Sequence, residues 1–156
     1  MIHSNSKVVQ DAEGLVTWAW LSPGVLYARY EQTLSADVSA AVVAALTDQV
    51  ARVESFELYV DASKLVAYEL KARSSFVSFV REHRKRCTAL ALLPWKAEAP
   101  FITPAALDSL GQPTEIVADA NDFGLRLLRV VPAAPELVAS LRNLASEERR
   151  SFSVLR

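Results

Sequence analysis

Phe56-Glu57-Leu58-Tyr59-Val60-Asp61-Ala62-Ser63-Lys64-Leu65-Val66-Ala67-Tyr68 is the stretch on which the fold reading turns. Phe56, Leu58 and Val60 alternate with Glu57 and Tyr59, the two-residue period of a strand with one face toward a core. Asp61 closes that run, and Asp61 to Tyr68 reads as the loop that leaves it. A helix follows from about Glu69 to Arg84, because Phe76, Phe79, Val80 and His83 recur at i, i+3, i+4 and i+7 as one apolar stripe. Strand, loop and helix in this order make half of a crossover unit.

Upstream, Leu15 to Leu21 and Val25 to Tyr30 are rich in aromatic and β-branched residues and flank Ser22-Pro23-Gly24, so they read as an antiparallel hairpin. Ser35 offers an N-cap oxygen and Asp37 a first-turn negative charge. Behind them Val38, Ala41, Val42, Ala45, Leu46, Val50 and Val53 keep helical spacing.

Downstream, Cys87 to Leu93 is an apolar run stopped by Pro94, the pattern of a strand covered on both faces. Thr103-Pro104 and Gly111 bracket a short helix at about Pro104 to Leu110. Thr114 to Ala118 reads as a last strand, Asn121 or Asp122 as the cap of a helix carrying Phe123, Leu127 and Leu128, and Pro135 as the start of a final helix. Strands alternating with helices require a mostly parallel sheet, since each helix is the crossover that returns the chain. The expected fold class is therefore a single α/β domain: a mixed, mostly parallel sheet with crossover helices and an extra C-terminal helix. Its parts are a flexible N-terminus over 1–13, the α/β domain over 14–131, and a C-terminal helix and tail over 132–156.

At 156 residues, 51% hydrophobic and 22% charged, the chain has a globular composition. Seventeen Lys and Arg against 18 Asp and Glu leave a net charge of −1, without the basic surplus that phosphate contacts of a nucleic-acid binder need. A single cysteine excludes a disulfide framework and a multi-cysteine metal site. No stretch has the length of a membrane span, and no signal-peptide core precedes the domain, so the expected location is cytoplasmic. Four glycines cannot assemble a P-loop or a dinucleotide fingerprint, no G-x-S-x-G elbow exists, and two histidines do not make a triad or a zinc site. His83 reads as a histidine at the core edge, and Cys87 as a buried, inert thiol.

The chemically richest place is the rim beyond the central strand, where α/β sheets gather binding sites. Asp61, Ser63, Lys64, Tyr68, Glu69, Lys71 and Arg73 lie on or beside it, and Trp95 adds an aromatic in the next connection. Asp61 as a simple turn cap, and Trp95 as a core residue, are the structural alternatives. On the following helix Leu70, Arg73, Ser74, Val77 and Arg81 form the candidate contact surface for a partner. Trp18 and Trp20 on one hairpin strand, with Val25, Tyr27 and Arg29 on the other and Tyr59, are expected on one sheet face. That face is either an aromatic interface or the seat of the final helix, Pro135 to Glu148.

The element order from Leu15 to Val131, the segment LYVDASKL at Leu58 to Leu65, and Asp122 to Leu128 resemble a STAS domain. The likeness is to its SpoIIAA-like (STAS/SEC14-type) branch, the fold of bacterial anti-sigma-factor antagonists. The antagonists carry a phosphorylatable serine in an Asp-Ser-Ser-Gly-like segment at the start of the second helix. Aligned from Asp61, Glu69-Leu70-Lys71-Ala72 stands there, without acceptor or glycine. The resemblance implies a non-enzymatic regulatory module that binds a protein partner, with no cofactor and no metal. The alternative is a lipid- or anion-binding domain using Lys64 or Lys96 under Trp95 and Phe101, and a homodimer is compatible with either.

Overall fold

The computed structural model describes residues 6–94, 114–117 and 119–131. Trp95, Lys96 and Phe101, the expected helix at 104–110 and the expected final helix from 135 lie outside these residues. Among the described residues six strands form one sheet in sequence order: β1 (Lys7–Gln10), β2 (Gly14–Ser22), β3 (Val25–Leu34), β4 (Phe56–Tyr68), β5 (Cys87–Pro94) and β6 (Thr114–Ile116). The β1–β2–β3 part is antiparallel, and β3–β4–β5–β6 is parallel. Helices α1 (Ala36–Val50) and α2 (Leu70–Glu82) cross between parallel strands, and α3 (Ala120–Val130) follows β6.

Local chemistry explains the elements. Pro23 and Gly24 sit between the paired ends Ser22 and Val25, and Gly24 takes φ +79, the value the second central position of a type II turn needs. Its carbonyl accepts the amide of Glu57 at 2.7 Å, which ties the hairpin tip to β4. Ser35 caps α1: its Oγ accepts Val38 N at 3.2 Å and donates to Asp11 Oδ2 at 2.7 Å. Asp11 Oδ1 also accepts the amides of Glu13 and Gly14. These bonds, chiefly that from Ser35, lower the Asp11 pKa below its ordinary value. At the other end of α1, Arg86 Nη2 donates to the carbonyls of Val50 and Val53, supplying partners for backbone groups the helix end leaves open. Asp119, two or three residues earlier than the sequence suggested, caps α3 by accepting Asn121 N.

Two hydrophobic layers result. Right-handed crossovers between strands laid down in one direction put α1 and α2 on the same face. There Leu26, Ala28, Tyr30, Phe56, Leu58, Val60, Leu90 and Leu92 meet Val38, Val42, Leu46, Phe76, Phe79 and Val80. The buried hydroxyl of Ser39 donates to Ala72 O at 3.0 Å and joins the two helices. On the opposite face α3 lays Phe123 and Leu127 over Val25, Tyr27, Tyr59, Ala91 and Leu93. Cys87 to Leu93 thus serves both layers, as its unbroken apolar run requires.

Three expectations are corrected. Residues 7–10, read as part of a loose terminus, form β1, because Val9 packs against the first layer while the ladder with β2 satisfies the backbone. The loop expected from Asp61 to Tyr68 is a continuation of β4, held by parallel pairing to β3 as far as Leu34↔Tyr68. Trp18 and Trp20 do not share a face with Tyr27 and Tyr59: Trp18 pairs with Ala28 and Trp20 with Leu26, so both belong to the α1/α2 layer.

Candidate functional site

Asp61 lies inside the sheet at the level where β5 and β6 end, paired with Arg29 on one side and Leu93 on the other. β3 and β4 run on past it. Its side chain has no exposed surface. Oδ1 accepts Ser63 N at 3.0 Å and Ser63 Oγ at 2.5 Å. Oδ2 accepts Tyr27 OH at 3.0 Å and faces Arg29 Nε at 3.4 Å. Every direction in which this carboxylate accepts is taken by a neighbour from its own strand or from β3.

The cluster is electrostatically closed. Burial, and then the charge of Asp61, push the Tyr27 phenol far above its ordinary pKa, so it stays a protonated donor. Burial works against the Arg29 cation, but Tyr27 and Asp61 outweigh it and hold the guanidinium charged. Paired buried charges of this kind are costly to break and add little over an apolar replacement. Asp61 and Ser63, 8% exposed, therefore organise the end of the sheet from within. Tyr27 and Arg29 were visible beforehand only as two residues alternating onto one face; no local motif announces a contact 34 residues apart.

The remaining predicted residues reach the surface around α2. Lys64 and Lys71 are exposed, and Tyr68 is half-buried against the first layer. Glu69 occupies the N-cap of α2 without a side-chain cap bond. Leu70, first residue of the helix, is 69% exposed, and Val66 at the end of β4 is 61% exposed. Leu70, Arg73, Val77 and Arg81 recur at i, i+3, i+7 and i+11, one flank of a helix. Leu70 and Arg81 are exposed there, Arg73 and Val77 half-buried. The other flank borders α1 across an open groove of about 570 Å3, lined by Lys71, Ser74, Ser75, Ser78 and Glu82 with Ala40, Val43 and Ala44. Ser74 and Ser75 return their hydroxyls to Leu70 O and Lys71 O.

His83 closes α2 with its ring 4.9 Å from that of Phe79; burial, then Arg86, lower its pKa. The Cys87 thiol is pushed up to about 12 by burial and is no nucleophile at neutral pH. Among the described residues no cluster of His, Cys, Asp and Glu could hold a metal ion, and no helix is long and apolar enough to cross a membrane.

No family model matches the chain, and no curated protein matches it. Among solved structures, an uncharacterized protein from the DUF3478 family with a SpoIIAA-like fold, from Shewanella loihica PV-4, is similar to it at 13% identity. The match covers 75% of this chain and 87% of that chain with a TM-score of 0.52. The fold is SpoIIAA-like, a mixed α/β sheet.

Proposed function

We propose that this SpoIIAA-like domain is a non-enzymatic regulatory module that captures a protein partner on the outer flank of α2. The observation that carries the reading is the stripe Leu70, Arg73, Val77 and Arg81. It alternates two aliphatic side chains with two cations on a helix whose opposite side is fixed in the core. An exposed leucine at the first helical position contributes nothing to the fold, and buried against a partner it would add roughly 2 kcal/mol. The two guanidinium groups select a partner surface that is acidic around an apolar centre, since interfaces use complementary charge for orientation and rate.

The same placement explains why the Asp61 cluster serves the site from a distance. It ties β3 to β4 where β5 ends, and α2 starts directly after β4. The domain then works by presenting a rigid helix flank. Glu69 to Ala72 carry no hydroxyl, so this segment lacks the acceptor that the antagonists phosphorylate.

The test is capture of a partner from cell extract by the immobilised full chain, compared with Arg73→Glu and Arg81→Glu. Loss of the captured band in both variants, with unchanged circular dichroism, is the expected result. Equal capture by all three proteins would reject this flank.

A further inference from the structure

The flank of α2 that the proposed partner surface leaves free carries two charges that their own helix does not explain. Lys71 stands in the first turn of α2 and Glu82 is its last residue. The helix dipole favours the opposite placement, anions at the start and cations at the end. Both side chains are exposed, and among the described residues neither forms an ion pair. They lie at i and i+11, three turns apart on one side of the helix, and both line the open groove between α1 and α2. Between them α2 presents Ser74, Ser75 and Ser78 to the groove, and α1 presents Ala40 and Ala44.

We infer that this groove seats the α2 helix of a second copy of the chain, the two helices running antiparallel about a two-fold axis. An axis placed between Ser75 and Ser78 sets Lys71 against Glu82 of the partner subunit. The same axis sets Glu82 against Lys71 of the partner subunit at the other end, because a two-fold interface repeats every contact. The flank is thus its own electrostatic complement, and complementary charge fixes register. A parallel pairing would set like charge against like. The serines and alanines let the two backbones come close, since interaxial distance follows the size of the side chains at the contact. Covering the flank strands few donors: Ser74 and Ser75 already return their hydroxyls to Leu70 O and Lys71 O. The Ser78 hydroxyl has no bond among the described residues. It falls opposite Ser75 of the partner subunit, whose oxygen can still accept.

The experiment is sedimentation equilibrium of the full chain over a range of concentrations, where a reversible monomer–dimer equilibrium is expected. Lys71→Glu and Glu82→Lys each set like charges against one another at both ends of the pairing. Each should raise the dissociation constant about tenfold or more. The double variant, with both charges exchanged, should dimerise as the parent does. So should an equal mixture of the two single variants, because each supplies the sign the other lacks. Ser78→Lys puts a cation beside the axis and should hold the chain monomeric. Should a single variant fold poorly by circular dichroism, the double variant and Ser78→Lys decide. A chain monomeric up to about 1 mM overturns the inference and leaves the groove to a different protein. A dimer indifferent to these charges, or a mixture no tighter than its components, overturns it as well.

Discussion

The phenol of Tyr27 on β3 donates to Asp61 Oδ2 on β4 across 3.0 Å, with neither side chain reaching solvent. One hydrogen bond thus couples the antiparallel hairpin to the parallel half of the sheet, on the face that α3 covers. Phe123 of α3 stands 6.5 Å from the Tyr27 ring and 6.0 Å from that of Tyr59, so the polar pair is roofed by aromatic surface.

Asp61→Asn is expected to cost about 3–5 kcal/mol, because it leaves Arg29 charged in a largely buried position without its counter-ion. Tyr27→Phe should cost less, roughly 1.5–3 kcal/mol for one bond to a charged acceptor. Urea unfolding of the two variants checks the order. An Asp61→Asn protein as stable as the parent would show that the carboxylate is not structural.

Gly14 has no room for a side chain: a Cβ there would lie 2.1 Å from Thr33 O and 2.8 Å from Glu31 O, both backbone atoms. Gly14→Ala should therefore destabilise by roughly 3 kcal/mol through forced separation of β2 from β3. A thermal melt at the parent temperature would contradict this.

Leu70→Ser removes an exposed side chain and should change stability by no more than about 0.5 kcal/mol. If the α2 flank is the partner surface, capture should nonetheless fall several-fold. Separation of these two readouts is the point of the measurement.

His83 carries a lowered pKa in the folded chain, so the folded state holds fewer protons than the unfolded one between the two values. Its contribution to stability is present above the unfolded value near 6.5 and is lost as pH falls through the lower folded value. Asp11 has the same sign from its depressed carboxylate, with loss beginning only below its unfolded value near 3.8. Urea midpoints should drop on acidification through the histidine range in the parent and stay flatter there in His83→Phe. Asp11→Asn should flatten only the more acid limb.

Ser35→Ala deletes both the bond from Val38 N and the donation to Asp11. A cap of this kind is worth about 1 kcal/mol, and the stranded Asp11 oxygen remains hydrated. Cys87 offers the readout: its buried thiol should react with a disulfide reagent at a rate that rises as the variant opens more often.

The chain itself determined the order of the described elements from β2 to α3, though not β1. Period-two and period-3.6 patterns, Pro23-Gly24, Ser35 and the apolar run before Pro94 act over a few residues, and they are legible wherever they occur. The candidate flank of α2 was legible for the same reason: Leu70, Arg73, Val77 and Arg81 follow from helical spacing alone. What only the tertiary structure decided depends on distant partners. β4 continues past Asp61 because β3 offers hydrogen bonds as far as Tyr68. Trp18 and Trp20 turned toward α1 and α2 because the register with Ala28 and Leu26 fixed their side. Arg86 read as part of a basic run, yet it supplies donors to Val50 and Val53 more than 30 residues earlier. Strand length, face and counter-ion are set by which backbone lies alongside, and no local window of sequence contains that neighbour.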